Sequence, residues 1–263
     1  MKRSRALRAR RLSRAPHVAV SIAGVATLAL VACSEPLADR ACTSHATLIP
    51  AYLPPAELTE LLTGPDRTGL VVVNPDNGPG AALNPAYADA IGRLRRTGTR
   101  VLGYVATGYA SRDPELVRTE VRRYASWYAI SDIFVDEVAA GEEALPYYTA
   151  LSAALRARTD GLVVLNPGRV PARGYFDIAD IVVTFEGPFS DYRARTALAP
   201  SWAHGLFATR TAHQIYAASD QQALEAVETP LADYVYANSA TLPNPWRTLP
   251  SSLTEQQARL ARC

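Results

Sequence analysis

Short apolar runs that end in polar tips constrain the fold of this 263-residue chain more than any other feature. Each run is rich in β-branched residues and too short for a helix of ordinary length, so each predicts a strand that is buried on both faces. The four clearest runs are VVVNPDNGPG (71–80), IFVDEV (133–138), LVVLNPG (162–168) and VVTFEGP (182–188). Strands of this kind are typical of a parallel sheet that is covered by helices.

Amphipathic segments separate the strands, and the alternation extends to the end of the chain. Eight strands are predicted, at 48–52, 69–76, 100–109, 132–138, 161–168, 178–188, 205–210 and 233–239. Helices are predicted at 56–63, 86–97, 115–128, 145–158, 191–198, 221–227 and 253–262. Eight such units predict an α/β fold with a single (β/α)8 TIM-like barrel over 47–263. The alternative, a doubly wound open sheet, usually carries a glycine-rich phosphate turn, and NGPG (77–80) does not have that spacing.

Residues 1–32 have the pattern of an export signal. Seven basic residues and no acid lie within 1–14, and an apolar stretch follows at 18–30 that is short for a membrane span. The sequence before Cys33 resembles the cleavage box of bacterial lipoproteins, in which the cysteine becomes the lipidated first residue. We therefore predict a lipoprotein signal peptide at 1–32, a short tether at 33–46, and a protein that is lipid-anchored on the outer side of a bacterial membrane, or secreted. The alternatives are an uncleaved anchor or an ordinary secretory signal cut near Ala32.

The leader also accounts for the slightly basic composition. The whole chain has 27 basic and 25 acidic residues, and without the seven basic residues of the leader 20 basic and 25 acidic residues remain, a net charge of −5. No basic face is left that would bind nucleic acid, so no nucleic-acid partner is predicted.

The two remaining cysteines fit an exported protein. Cys42 precedes the first predicted strand, and Cys263 is the last residue. A barrel brings its chain ends together, and a remaining pair outside the cytoplasm is usually bridged, so we predict a Cys42–Cys263 disulfide; two unpaired thiols are the alternative. The histidines are scattered and no Cys/His spacing matches a metal site, so neither a metal nor a cofactor is predicted.

Three carboxylates stand at predicted strand tips: Asp136, Glu137 and Glu186. The C-terminal ends of parallel barrel strands meet at one mouth, and paired acids there suit acid/base cleavage of a glycosidic bond. Adjacent side chains on a strand point to opposite sides, so we expect one member of the Asp136–Glu137 pair to act with Glu186. The alternative role for an acid here, a helix N-cap or a surface ion pair, fits Glu142 and Glu143 well.

Hydrogen-bonding and aromatic residues accompany the acids at the predicted strand ends. They are candidates for sugar binding, because aromatic rings stack on the apolar faces of pyranoses and amides bind hydroxyl groups. Each also has a structural explanation, since Asn-Pro pairs are common turn formers. The candidate substrate-binding residues are Tyr52, Asn74, Tyr104, Thr107, Tyr109, Asn166 and Asn238.

A series of motifs in the first two thirds of the barrel carries a family resemblance. The motifs are IPAY (49–52), VVVNPDNGPG (71–80), NPAYADAI (84–91), VLGYVATGYASR (101–112), WY (127–128), IFVDE (133–137), VVLNPG (163–168) and ADIVVTFEGP (179–188). In order and spacing they resemble the spherulation-specific spherulin-4 family from about residue 48 to 190. The resemblance implies a TIM barrel of the glycoside hydrolase kind. Characterised fungal members resemble endo-acting α-1,4-N-acetylgalactosaminidases that cut galactosaminogalactan-type exopolysaccharide.

The resemblance also implies roles for the acids. The acidic set of the family falls on Asp136, Glu137 and Glu186. It implies Asp136 as nucleophile and Glu186 as general acid/base, with retention at the anomeric carbon and Glu137 in support. Inversion stays open, and so does a substrate-assisted route in which the N-acetyl group attacks and Glu137 takes the acid/base role.

Two functions from different classes remain. The first is a surface-tethered, monomeric endo-glycosidase that cleaves an exopolysaccharide containing N-acetylgalactosamine or galactosamine, of the kind found in biofilms. The second is a non-catalytic glycan-binding protein of a cell wall or spore coat, because the family takes its name from a structural protein of an encysting slime mould. The presence of all three acids favours the enzyme, since a binding mouth has no need for buried ionised pairs.

Overall fold

The computed structural model describes residues 45–62, 69–158, 160–203, 210–228 and 230–261. In these residues eight parallel strands follow one another in chain order around a single sheet. The strands are β1 (Leu48–Ala51), β2 (Leu70–Val73), β3 (Arg100–Ala106), β4 (Asp132–Asp136), β5 (Val163–Leu165), β6 (Ile181–Pro188), β7 (Thr211–Tyr216) and β8 (Tyr234–Ala237). A parallel bridge between Ala46 and Tyr234 brings the two ends of the sheet together. The predicted (β/α)8 barrel is therefore confirmed.

Helices cover the outside of the sheet and connect its strands. They are α1 (Pro55–Leu58), α2 (Pro85–Arg96), α3 (Pro114–Tyr128), α4 (Leu145–Arg156), α5 (Tyr175–Ile178), α6 (Phe189–Ala197), α7 (Asp220–Glu228) and α8 (Leu253–Leu260). Short 3-10 segments lie at Thr59–Leu62, Glu142–Ala144 and Pro245–Arg247. An Asn-Pro pair and an Asp-Pro pair open two of the helices. Asn84 caps α2 by accepting from the Ala86 amide at 3.0 Å, and Asp113 caps α3 by accepting from the Glu115 amide at 2.8 Å.

Alternate side chains of each strand fill two apolar layers. One layer lies inside the barrel and includes Val72, Leu102 and Phe134, and the other lies between the sheet and its helices. The outer layer is tight where α3 crosses β3, since a Cβ atom on Gly103 would lie 2.6 Å from the Tyr124 ring. A glycine is needed at position 103 because the Tyr124 ring of α3 occupies the space that a side chain would fill.

The seventh predicted strand was misplaced by several residues. The sequence predicted it at 205–210, whereas β7 occupies Thr211–Tyr216; residues 204–209 lie outside the described part of the chain. Two polar residues in the middle of β7, His213 and Gln214, interrupt the apolar run by which the other strands were predicted. Both are almost fully buried. Arg210 consequently precedes the strand and donates to the carbonyl of Phe176 at 2.6 Å, at the N-terminal end of the barrel.

Several predictions fall on residues that the structure does not describe. These are the signal peptide at 1–32, most of the tether at 33–46, the lipidated Cys33, and the Cys42–Cys263 disulfide. They stay predictions. Within the described residues, none of the helices has both the length and the apolar character that a membrane crossing requires.

Candidate active site

The three predicted acids meet in one cavity of about 420 Å³ at the C-terminal ends of the strands. We call it the acid cavity. Its lining residues come from the tips and following loops of β3 to β8: Tyr109, Asp136, Glu137, Asn166, Pro167, Gly168, Arg169, Glu186, Arg195, Tyr216 and Leu242. This is the end of a (β/α)8 barrel where active sites are built.

A β-bulge turns Glu186 into the barrel. The register of β6 against β7 shifts between Val183 and Phe185, so one extra residue is inserted in β6. Before the bulge Val183 faces the inner layer, and after it Phe185 packs outside against Tyr192 of α6. In an unbroken strand Val183 and Phe185 would face the same side, and Glu186 would point to the helices. The bulge is thus the local feature that brings Glu186 to Asp136.

Asn166 joins the two carboxylates at the centre of the site. Its Nδ2 donates to Asp136 Oδ1 at 2.8 Å and to Glu186 Oε2 at 2.6 Å. Its Oδ1 accepts from the Gly168 amide at 2.9 Å, which fixes the orientation of the side-chain amide. The two carboxylate oxygens therefore lie no farther apart than the sum of both bonds, about 5.4 Å. Glycosidases that retain the anomeric configuration have carboxyl groups about 5–5.5 Å apart, and inverting enzymes have them about 6.5–9.5 Å apart.

Burial raises the pKa of both central acids, and the charge of Glu186 raises that of Asp136 further. Burial, and then the charge of Glu186, raise the pKa of Asp136 to about 7, against opposing hydrogen bonds from the Glu137 amide, the Tyr104 hydroxyl and Asn166. Burial also raises the pKa of Glu186, against hydrogen bonds from Asn166 and Trp246. Two carboxyl groups this close disfavour double ionisation, and with the pKa of Asp136 raised to about 7 the pair shares one proton up to about that pH.

Glu137 lies in the same cavity but outside this pair. Its backbone adopts a left-handed conformation with φ of 52°, and its carboxylate accepts from the Gly108 amide at 3.2 Å. The Glu137 carbonyl accepts from the Tyr109 amide at 2.7 Å and from the Thr107 hydroxyl at 2.8 Å. These bonds hold a strained residue at the tip of β4, a common arrangement at functional sites.

Among the predicted sugar-binding residues, the three tyrosines are arranged from the interior to the rim. Tyr52 and Tyr104 pack edge to face, with ring centroids 5.4 Å apart, and Tyr104 bonds to Asp136. Burial, followed by the charge of Asp136, raises the pKa of both hydroxyls, so both stay protonated at neutral pH. Tyr109 is 68% exposed on the cavity wall, where its ring is free to contact a ligand.

Three other predicted sugar-binding residues have structural roles instead. Thr107 is fully buried, and its hydroxyl bonds to the carbonyls of Asp136 and Glu137. Asn238 is 1% exposed and donates to two backbone carbonyls of the loop before α8. Asn74 accepts from the Gly78 amide at 2.7 Å and so closes a turn. Their side-chain groups are used within the protein, as expected for turn-forming and tip-forming residues.

Four further residues contribute to the site and were not predicted from the sequence. Trp246 donates its indole N–H to Glu186 Oε1 at 3.3 Å, and Tyr216 lies at the tip of β7. Arg169 and Arg195 line the cavity beyond Glu186. Tyr216 was not predicted because β7 was placed several residues too early. Trp246 lies in the 3-10 segment Pro245–Arg247, and no sequence pattern relates it to Glu186.

A metal site was not predicted, and the geometry offers no candidate among the described residues. No three His, Cys, Asp or Glu side chains in that part of the chain are grouped so that they could hold a metal ion. The three acids of the cavity are held instead by N–H and O–H donors.

The fold and the site define a (β/α)8 barrel with paired carboxylates at its C-terminal mouth. The sequence model of spherulation-specific family 4 matches residues 47–259, and the chain belongs to this family. The chain is 30% identical to spherulin-4 of Physarum polycephalum over 162 residues, which is 59% of this chain and 48% of the relative. It thus spans about half the length of the curated relative that it matches.

The chain was also compared with two solved structures. The crystal structure of Aspergillus clavatus Sph3 in complex with GalNAc superposes with a TM-score of 0.71 at 23% identity, over 83% of this chain and 98% of that one. The GH113 β-mannanase AaManA of Alicyclobacillus acidocaldarius in complex with ManMIm has a TM-score of 0.46 at 12% identity, over 82% of this chain and 95% of that one. The first of these likenesses establishes the barrel architecture.

Proposed function

We propose that this protein is an endo-acting glycoside hydrolase that cleaves an exopolysaccharide containing N-acetylgalactosamine or galactosamine. The observation that carries the proposal is the Asn166 bridge, which holds Asp136 and Glu186 within about 5.4 Å and leaves them one shared proton. An ionised carboxylate beside a protonated one is what a double-displacement glycosidase requires. Membership of the family, and the GalNAc in the complex of the Aspergillus clavatus relative, support the choice of sugar.

In the proposed mechanism Asp136 is the nucleophile and Glu186 the general acid/base. An Asp136 oxygen forms a bond to the anomeric carbon while the bond to the leaving sugar breaks, and Glu186 gives its proton to the leaving oxygen. Glu186 then takes a proton from water, whose oxygen attacks the same carbon and releases Asp136. Hydrogen bonds from the Glu137 amide, the Tyr104 hydroxyl and Asn166 oppose the rise in the pKa of Asp136. The proposed roles require the proton of the pair to lie on Glu186 when the glycosidic bond is cleaved.

The decisive experiment is to incubate the protein with galactosaminogalactan and related polymers and to analyse released oligosaccharides by mass spectrometry. A 2-fluoro glycosyl fluoride should trap a covalent sugar on Asp136, detected by peptide mapping. A label on Glu186 would exchange the two roles. Release of product with the inverted anomer would contradict double displacement, and dependence on the N-acetyl group without a trapped ester would assign the substrate-assisted route and give Glu137 the acid/base role.

The alternative function, a non-catalytic glycan-binding coat protein, is an outcome of the same experiment. Binding of an amino sugar polymer without any cleavage would support it. A buried acid pair that serves only binding would have to be retained despite its desolvation cost, which is why the enzyme is the proposal.

We further propose that the protein acts as a monomer at the outer face of a membrane, held by a lipid on Cys33. The basic leader and the LVAC sequence at 30–33 support this. A Cys33→Ser variant should leave the membrane fraction or stay unprocessed, as judged by fractionation and intact mass. An unchanged membrane partition together with an unchanged mass would contradict the anchor.

A further inference from the structure

A second cavity, of about 180 Å³, adjoins the acid cavity next to β6 and α6. We call it the arginine pocket. Its lining includes Arg169, Phe185 and Arg195. Arg169 and Arg195 line both cavities, so these two residues lie at the boundary between the arginine pocket and the acid cavity. The volume equals the share of roughly six water molecules, enough for a sugar substituent or one ring but not for a chain.

The guanidinium of Arg195 is held in place without being neutralised. Its Nη1 donates to the Glu186 carbonyl at 3.3 Å, and its Nη2 donates to the Gly168 carbonyl at 3.1 Å. The guanidinium carbon lies 4.8 Å from the centroid of the Phe185 ring. Two neutral carbonyls and an aromatic face orient the group and leave further N–H donors for a ligand.

Neither arginine has a carboxylate partner among the described residues, although acids line the same cavity. The ion pairs of that part of the chain use other arginines: Arg100, Arg112, Arg118, Arg156, Arg193 and Arg259. The acid cavity therefore has a carboxylate side and a separate cationic side.

We propose that Arg169 and Arg195 form a subsite for an anionic group of the glycan, next to the bond that the acids cleave. The group is a carboxylate or a phosphate, supplied by a uronic acid unit or by a phosphodiester in the polymer. Guanidinium groups bind either anion through paired N–H donors, and the same two charges repel the ammonium group of a deacetylated galactosamine. The proposal deepens the proposed function, since it names a charged neighbour of the amino sugar.

Direct binding tests this without requiring turnover. Isothermal titration at low salt would compare unsulfated chondroitin hexasaccharide, which alternates glucuronate with N-acetylgalactosamine, with its carboxyl-reduced form. An oligo(glycerol phosphate) serves as the phosphate probe. We expect the wild-type chain to bind one charged probe about tenfold more tightly than the reduced sugar, and the difference to shrink as salt rises.

Two variants separate the subsite from general surface charge. Arg169→Gln should remove most of the preference for the charged probe. Arg193→Gln is the matched control, because Arg193 lies on α6, pairs with Glu225 and lines neither cavity. It should keep the full preference although it changes the net charge by the same amount.

The outcomes are distinct. A preference for the hexasaccharide assigns the carboxylate as ligand, and a preference for the glycerol phosphate assigns the phosphate. Equal binding of charged and reduced probes, or an equal loss in both variants, overturns the subsite. If the preference is present but no polymer is cleaved, the proposed enzyme function fails while the subsite stands; cleavage of a neutral polymer without any preference gives the reverse result.

Discussion

At the residue scale, the side-chain amide of Asn166 holds the carboxylates of Asp136 and Glu186 together. Asn166 donates one hydrogen to Asp136 and one to Glu186, so it holds the carboxylates close without supplying a charge. A lysine or arginine at this position would lower both pKa values and leave no proton to donate. Because an amide is neutral, the charge of Glu186 still raises the pKa of Asp136, and the pair keeps a proton that it can donate.

Removing either carboxylate should abolish most of the turnover. Asp136→Asn and Glu186→Gln keep the size and hydrogen-bonding capacity of the side chains, so both variants should fold. Loss of a positioned acid or base typically costs about 10²–10⁴-fold in rate, and loss of a nucleophile costs at least as much. Glu142→Gln, in the loop after β4 and outside the acid cavity, is the control and should change the rate little. If both tip variants turn over a substrate as fast as the parent does, the site is elsewhere.

The shared proton predicts how the rate depends on pH. The pKa of Asp136 is raised to about 7 by burial and by the charge of Glu186, so the pair loses its proton as pH rises through this value. The rate constant kcat/KM should therefore fall on the alkaline side of about pH 7, because the general acid is lost. A profile that stays flat to pH 9 would show that no group of the pair donates a proton in the rate-limiting step.

The same pKa shift predicts that the site lowers stability at alkaline pH. Between the ordinary value of 3.8 and about 7, the folded protein holds a proton on Asp136 that the unfolded chain releases. The stability contribution of this group is thus fully present below about pH 4 and is lost as pH rises through 7, at a cost of up to about 4 kcal/mol.

An Asp136→Asn variant should therefore have a higher Tm than the parent at pH 8. A gain of roughly 2–4 °C is expected for each kcal/mol in a protein of this size, and the difference should vanish near pH 4. Thermal unfolding followed by circular dichroism at both pH values measures this. An equal Tm difference at the two pH values would mean that the carboxyl group is not desolvated in the folded state.

The polar residues at strand tips could be predicted from the sequence, but their partners could not. Asp136, Glu137 and Glu186 were placed at one mouth because parallel strands end together. The sequence gives no sign that Thr107 and Asn238 turn their polar atoms to backbone carbonyls, since that depends on loops that fold over them. Distances of this kind are set by packing, not by local pattern.

At the scale of elements, the bulge in β6 is the feature on which the site depends. Thr184 stands at the bulge, and its hydroxyl lies 3.0 Å from His213 Nε2 of β7. His213 Nδ1 in turn lies 3.0 Å from the hydroxyl of Tyr192. Burial lowers the pKa of His213 to about 3, so the ring stays neutral and one ring nitrogen accepts while the other donates. This buried chain fixes the extra residue that turns Glu186 inwards.

Loosening the bulge should reduce turnover more than it reduces stability. Thr184→Val removes one hydrogen bond to His213 at almost constant volume and should cost about 1 kcal/mol of unfolding free energy. We expect kcat to fall about tenfold, because Glu186 loses its fixed direction, whereas Thr184→Ser should restore it. Thr99→Val, a change at another buried threonine ahead of β3, should lose similar stability but no turnover. Equal kcat values for Thr184→Val and Thr99→Val would show that Thr184 does not position Glu186.

The one misplaced strand shows where pattern reasoning fails for elements. Seven of the eight predicted strands overlap the observed ones, because apolar β-branched runs identify strands buried on both faces. In β7 the buried His213 and Gln214 break that pattern, because hydrogen bonds and not apolar contacts satisfy the histidine. Because of this displacement, Tyr216 at the tip of β7 was not predicted as a site residue.

At the scale of the whole molecule, the last strand and the last helix are tied to the start of the barrel. The Ala46 amide donates to the Asp233 carbonyl at 3.1 Å, next to β8. Gln256 of α8 is fully buried and bonds both the amide and the carbonyl of Ala237 in β8, at 3.1 and 2.9 Å. Segments near both ends of the described barrel, at Ala46 and in α8, thus contact β8 or the residue before it.

This arrangement supports the predicted Cys42–Cys263 disulfide in the exported protein. Closing so long a loop stabilises by about 5 kcal/mol in the chain-entropy model, and by less where hydrogen bonds already hold both ends to β8. Reduction should therefore lower the Tm of the exported protein, and a Cys42→Ser, Cys263→Ser double variant should show the same lower Tm with no further response to reductant. Non-reducing peptide mapping should recover the two cysteines in one linked peptide. Recovery of both as free thiols from protein purified out of the exported fraction would contradict the bridge.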